Sequence, residues 1–243
     1  MIAFGLTDRG KVRSANQDAF RILELPEKDV VLAVLCDGMG GVHGGEIASS
    51  LAAESFLHYT EKILREESEP DPVQILREAA AYANLRVYDR AFRDDSCRGM
   101  GTTLVAALLK QNEAAVINIG DSRCYLLSDS SIQQITRDHS LVQSMVDRGL
   151  ITASEAQTHP QKNVIMRAVG LERSIRSDIY RLDMKKNDTL LLCSDGLSNQ
   201  VSATEMCSAL NDEQDKFKAC QKLLQLALDR GAPDNVTIAL VHC

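Results

Sequence analysis

The sequence has 243 residues, 44% of them hydrophobic and 25% charged, a balance that allows a sizeable buried core and excludes fibrous and extensively disordered classes. Its formal net charge is −7 with no basic stripe or Lys/Arg cluster, so the counterion release that drives nucleic-acid binding has little to act on. No apolar run approaches the roughly 20 residues a membrane span needs, and the N-terminus MIAFGLTDRG lacks the features of a secretory signal, so neither nucleic acid nor membrane is expected as a partner.

Ile2 to Leu6 and Ala19 to Leu25 read as strands, joined by a polar, glycine-containing turn that carries Lys11, Arg13, Asn16 and Asp18. Val30 to Cys36 is a fully apolar strand. From Gly45 to about Arg65, apolar residues recur at helical spacing (Ile47, Leu51, Phe56, Leu57, Ile63, Leu64). After the breaker SEPDP a second helix is expected from about Val73 to Phe92, making an antiparallel hairpin. The period then changes: TTLVAALLK, AAVINIG, CYLLS and IQQIT are short strands separated by QNE, GDSR and DSS turns, which predicts a β-meander.

Ser140 to Arg148 and Ala153 to Gln157 form two short helical pieces in an irregular stretch that reaches Pro160. Strands are expected to resume near Val164, at Ile175 to Leu182 and at Thr189 to Cys193. Ala203 to Leu210 and Glu213 to Arg230 make a second helical pair, and NVTIALV closes the chain as a strand. The order predicts an α+β fold of two sheets with helices packed outside them, in a single domain because no linker interrupts it. The seven cysteines are odd in number and never spaced C-x-x-C, which argues for reduced, mostly buried thiols in a cytoplasmic protein.

The chemistry concentrates in aspartates at strand ends. VVLAVLCDGMGG carries Asp37 out of an apolar strand into glycines, and LLCSDGL repeats the pattern at Asp195. Asp121 follows the strand AAVINIG, Asp18 precedes AFRIL, and Asp234 precedes NVTIALV. Five carboxylates converging on one edge would repel strongly unless cations neutralised them, and hard divalent ions, Mg²⁺ or Mn²⁺, suit an all-oxygen donor set. A glycine after the ligand lets the backbone approach the ion and offers its carbonyl.

Competing motifs fail. GLTDRGKV resembles a phosphate-binding loop, but Val12 supplies no hydroxyl and turn and strand follow where a helix should open. The glycines after Val30–Cys36 lack dinucleotide-binding spacing, since His43 takes the third glycine position. The five histidines show no paired ligand spacing.

Taken in order, G-K-V-R-S-A-N-Q-D-A-F (Gly10 to Phe20), D-G-M-G-G with G-E-I-A-S (Asp37 to Ser49), M-G-T-T (Met100 to Thr103), G-D-S-R (Gly120 to Arg123), S-D-G-L (Ser194 to Leu197) and D-N-V-T (Asp234 to Thr237) form a specific set. It resembles the metal-dependent serine/threonine protein phosphatases, the protein phosphatase 2C family, in their compact bacterial form, along essentially the whole chain. The resemblance implies two antiparallel β-sheets packed as a central sandwich, each side flanked by an antiparallel helical pair. One domain would span residues 1–243, with a small flap at about 147–163.

By the same resemblance Asp37 bridges two Mn²⁺ or Mg²⁺ ions, the Gly38 carbonyl ligates one, and Asp195 and Asp234 complete the other. Asp18 matches a position holding a metal-bound water, Asp121 with Asp195 matches the third metal site of bacterial members, and Arg13 matches the guanidinium that clamps the substrate phosphate. The implied activity is hydrolysis of phosphoserine and phosphothreonine on proteins, with phosphorylated proteins as partners. A receptor-type serine/threonine kinase and its substrates would be among them, and the enzyme would be a cytoplasmic monomer. The chain departs from the family pattern in its glycine loop, D-G-M-G-G-V-H, where Val42 precedes His43. That leaves the general acid open between His43 and a metal-bound water. Two further readings stand beside this one: a catalytically weak phosphoprotein-binding module, and a phosphatase of small phosphoesters or phosphotyrosine.

Overall fold

Val30–Cys36 is apolar throughout because the strand it forms is covered on both faces. Leu32, Val34 and Cys36 pack beneath helices, while Val31, Ala33 and Leu35 face a second sheet. The computed structural model describes residues 1–243, the side chains of residues 41–43 excepted.

Its first part comprises β1 (Ile2–Asp8), β2 (Asp18–Leu25), β3 (Val30–Met39), α1 (Gly41–Glu66) and α2 (Pro72–Arg93). The middle comprises β4 (Gly101–Thr102), β5 (Leu104–Lys110), β6 (Glu113–Ile119), β7 (Arg123–Ser128) and β8 (Ser131–Gln134), then α3 (Leu141–Asp147) and α4 (Ala153–Thr158). β9 (Asp178–Asp183), β10 (Thr189–Cys193), α5 (Asp195–Ser198), α6 (Ala203–Asp212), α7 (Lys216–Asp229) and β11 (Val236–His242) complete it.

One sheet has the order β1-β11-β10-β7-β8 and the other β2-β3-β5-β6-β9, with β4 paired to the end of β3. The sheets face each other across a layer built from Leu35, Val105, Leu109, Leu190, Leu192 and Val241, among others. α1 and α2 cover the outer face of the second sheet through Ala48, Ala52, Phe56 and Leu76, and α6 and α7 cover the first through Met206, Leu210 and Leu223. The expected sandwich with flanking helical pairs is therefore present.

Several local expectations change. The strand expected to stop at Cys36 continues to Met39, because β4 supplies partners for Gly38 and Met39. Asp37 and Gly38 are consequently strand residues rather than the start of a loop. The expected meander is broken in the middle: β5 pairs with β6 and β7 with β8, but β6 and β7 belong to opposite sheets. The G-D-S-R turn is thus the crossover between sheets. Gly120 makes it with φ +109°, passing so close to β5 that an added Cβ would lie 2.6 Å from Thr103 Cγ2.

No strand forms near Val164, where only isolated bridges join Ile165 to Ser140 and Val169 to Thr102, and the strand expected at Ile175 to Leu182 begins at Asp178. α7 starts at Lys216, three residues after the expected Glu213, because Asp215 caps it by accepting from Phe217 and Lys218 N–H groups. Cys36, Cys97, Cys124, Cys193 and Cys220 are buried, and all seven thiols are free. Among the described residues no helix is long and apolar enough to cross a membrane.

Leu35 is fully buried between the sheets. Leu35→Ala is expected to cost about 2–5 kcal/mol, measured as a lower urea midpoint with an unchanged slope.

Candidate metal centre

Strand parity and register place the carboxylates. Asp37 extends the row Val31, Ala33, Leu35 that faces the other sheet, and Asp18 stands directly opposite it in the β2–β3 pair. From the facing sheet, Asp195 lies just past β10 and Asp234 just before β11, two strands that pair with Cys193 opposite Ile238. Asp121 arrives on the crossover turn. Like charges directly opposite one another destabilise a sheet unless something neutralises them.

The structure grips the Asp37 backbone and one carboxylate oxygen each of Asp18, Asp195 and Asp234. Asp18 Oδ2 accepts from Thr237 Oγ1 at 2.6 Å and Ser194 Oγ at 2.8 Å, so two hydroxyls of one sheet hold a carboxylate of the other. Its Oδ1 is buried with no hydrogen-bond partner. The Asp37 main chain is fixed by Thr103 and Thr102: Asp37 N donates to Thr103 Oγ1 at 2.9 Å, and the Asp37 carbonyl accepts from Thr102 Oγ1 at 2.9 Å. Asp195 Oδ2 accepts from Asn199 Nδ2 at 3.1 Å, and Asp234 Oδ2 accepts from Arg13 Nη2 at 2.7 Å.

Burial and mutual repulsion raise the proton affinity of Asp18, Asp37, Asp121 and Asp195. Asp18 is pushed up to about 7, chiefly by burial and further by Asp195 and Asp234, against the pull of its two hydroxyl donors. Burial, then Asp195 and Asp138, lifts Asp121 to about 7. Asp37 rises well above the carboxylate range through burial and then Asp18 and Asp195, and Asp195 rises through burial and then Asp234. Among the described residues no three His, Cys, Asp or Glu side chains close into a ready-made ligand cage. What fits a hard cation is the donor chemistry: an all-oxygen set that is destabilised when charged, with a buried carboxylate oxygen lacking any partner.

Gly38 has a reason to be glycine beyond offering a carbonyl. A Cβ there would lie 2.0 Å from the Gly45 carbonyl oxygen and 2.6 Å from that of Gln17, so α1 and the β1–β2 turn both press on it. From Asp121 and Asp195 a cleft of about 590 Å³ opens outward between residues of α3 and α4, with Lys162 and Asn163, and the 198–205 segment. A larger groove of about 800 Å³ between α1 and α2 contains none of these carboxylates.

A family profile described as protein phosphatase 2C matches residues 8–235. The chain belongs to the protein phosphatase 2C family. The serine/threonine phosphatase Stp of Listeria monocytogenes is 36% identical over 240 residues, covering 97% of this chain and 93% of that one. Among solved structures, serine/threonine phosphatase Stp1 from Staphylococcus aureus is 36% identical with a TM-score of 0.90, covering 99% of this chain and 94% of that one. The catalytic domain of the phosphatase PstP, in complex with two manganese ions, is 34% identical with a TM-score of 0.86, covering 98% and 96%. The chain is a protein-serine/threonine phosphatase, a phosphoric monoester hydrolase, of this family.

In the phosphatase, Asp37 interacts electrostatically with Asp18, Asp195, Asp121 and Asp234, Asp18 with Asp195 and Asp234, and Asp195 with Asp234 and Asp121. Arg13 reaches the same edge, paired to Asp234 with 55% of its side chain exposed. The His43 side chain lies outside the described residues. The sequence motifs contain Ser194, Asn235 and Thr237 but assign them no role. Ser194 and Thr237 carry the hydroxyls on Asp18. Asn235 donates to the Arg9 and Ala15 carbonyls at 2.8 and 2.9 Å and accepts from Gln17 N at 2.8 Å, so it ties down the turn that bears Arg13. The available signal was a buried polar side chain beside an apolar strand, which must find partners.

Two outcomes follow. Asn235→Ala removes three hydrogen bonds to the backbone and is expected to cost about 1–3 kcal/mol, with faster proteolytic nicking at Lys11 and Arg13 than in wild type. Carboxyls whose folded pKa is raised bind protons on folding, so their stabilisation is complete below the unfolded pKa of 3.8 and is lost as pH rises through about 7. The metal-stripped protein should therefore lose Tm from about pH 5 to about pH 7.5 more steeply than Asp18→Asn does, with added Mn²⁺ reversing the loss.

Proposed function

We propose that this phosphatase hydrolyses phosphoserine and phosphothreonine on proteins at the carboxylate cluster. In this reading Asp37, the Gly38 carbonyl, Asp195 and Asp234 hold two Mn²⁺ or Mg²⁺ ions. Asp18 orients a water of that centre, and Asp121 with Asp195 holds a third ion. The observation that carries the assignment is the convergence of five aspartates from both sheets on one edge, where Asp18 Oδ1 is buried without a partner. When bound, two such ions supply hydroxide at neutral pH and neutralise phosphoryl oxygens during in-line displacement. The PstP structure with two manganese ions supports that number for this chain.

The protein's own groups do the rest. Asp37 contributes charge from a strand clamped by Thr102 and Thr103, so the carboxylate needs little reorganisation. Arg13 engages Asp234 through one Nη and directs the remaining donors of its planar fork to phosphate oxygens. The polypeptide on either side of the phosphoresidue runs over the edge and into the cleft bounded by the flap, about residues 147–163. The chain acts as one domain and as a cytoplasmic monomer in signal transduction, with phosphorylated proteins as partners, including a receptor-type serine/threonine kinase and its substrates.

Metal-stripped protein titrated with Mn²⁺ or Mg²⁺ is expected to release phosphate from a phosphothreonine peptide, and Asp195→Asn to abolish nearly all of it. Hydrogen bonds from a charged group are worth about 1.5–3 kcal/mol, so Arg13→Ala should lower kcat/KM by about 10- to 100-fold. Metal binding without phosphate release from the peptide would overturn the assignment in favour of a phosphoprotein-binding module. A higher kcat/KM on phosphotyrosine than on phosphothreonine would overturn the substrate class.

A further inference from the structure

Asp121 sits on the turn that carries the chain from β6 in one sheet to β7 in the other, and that turn is held by a histidine. His139 is 7% exposed. Its Nδ1 accepts the Gly120 N–H at 3.1 Å, and its own backbone N–H donates to the Gly120 carbonyl at 2.9 Å. Asn118 Nδ2 reaches the same carbonyl at 3.2 Å. With Nδ1 occupied by an N–H, the neutral imidazole carries its proton on Nε2, which donates to Asp178 Oδ2 at 3.1 Å. Arg167 Nη1 donates to the other oxygen of Asp178 at 2.8 Å, fixing that carboxylate at the start of β9. The chain order is carboxylate, imidazole, backbone amide, and the residue after that amide is Asp121. The His139 carbonyl in turn accepts from Met166 N at 2.7 Å, where the chain leaves the flap.

We infer that His139, oriented by Asp178, is a positioning residue that fixes the Gly120–Asp121 turn and thereby the aim of the Asp121 carboxylate into the metal centre. The inference rests on the reading that Asp121 is a metal ligand. A histidine spent on a backbone amide neither touches substrate nor ligates metal; it removes the freedom of a glycine turn whose φ of +109° is otherwise cheap to change. Its partners place the control on Asp121, which lines the cleft, and leave Asp37 and Asp234 to their own supports.

The test compares two variants of near-equal size in the full-length protein. His139→Asn keeps an acceptor near the Nδ1 position, and His139→Gln places its polar end near Nε2 and loses the Gly120 contact. Free Mn²⁺ is followed by its electron paramagnetic resonance signal during titration, beside kcat and KM for a phosphothreonine peptide. Outer-shell partners are worth about 10- to 100-fold in metal affinity, so His139→Gln should weaken the weakest Mn²⁺ site at least about 10-fold. Tighter sites and the peptide KM should not move, and His139→Asn should stay near wild type. Asp178→Ala, at a part-exposed position, should shift the same site in the same direction. In an Asp121→Asn background, His139→Gln should add nothing. Equal behaviour of the Asn and Gln variants, or an additive effect in the Asp121→Asn background, would overturn the inference. Wild-type protein that takes up no Mn²⁺ and releases no phosphate would instead overturn the reading beneath it.

Discussion

Mutual repulsion among carboxylates brought to one edge of a sandwich is the constraint the rest of the molecule answers. Asp18 and Asp37 face each other across one strand pair, and Asp195 and Asp234 approach from the opposite sheet. Such a cluster would push the sheets apart at that edge. Two hydroxyls on the first sheet, Ser194 and Thr237, bind Asp18 on the second and bridge the gap. The apolar layer behind them, in which Leu35, Leu190 and Leu192 are fully buried, supplies the cohesion that makes the crowding tolerable.

The elements divide this task cleanly. Strands carry the residues whose positions must not drift, Asp18 and Asp37, with main chains locked into ladders. Turns carry Arg13 and Asp121, braced by Asn235 and His139, while Asp195 opens α5 and its carboxylate is held by Asn199 at that helix's end. The helical pairs lie on the outer faces, where they bury the backs of the sheets. The cross-sheet hydrogen bonds from Ser194 and Thr237 to Asp18 lie at the end of the molecule where charge gathers.

Element order, the two-layer architecture and the five aspartates were legible because hydrophobic period and strand-end Asp-Gly pairs are local signals. The sheet switch at Gly120 was not: AAVINIG and CYLLS, separated by a short turn, have the pattern of a hairpin, and only the tertiary partners of β6 and β7 tell which sheet each joins. For the same reason Asp37 was read as a loop residue, since the pairing that extends β3 comes from Gly101 and Thr102, far along the chain. The roles of His139 and Asn235 are not legible because both act on backbone groups, and backbone groups leave no mark in a sequence. Gly38 was legible as a site residue for one reason, while the structure adds another in the pressure of Gly45 and Gln17.

β11 occupies an interior position in its sheet, paired to β1 on one side and β10 on the other, with Ile2 opposite His242. A ribosome therefore emits the first strand long before its neighbour exists. Until residues 234–242 emerge, β1 has no ladder, Asp18 lacks the Thr237 hydroxyl and the Arg13 turn lacks Asn235. The supports of Asp18 and of the Arg13 turn therefore depend on a segment more than 200 residues further along the chain.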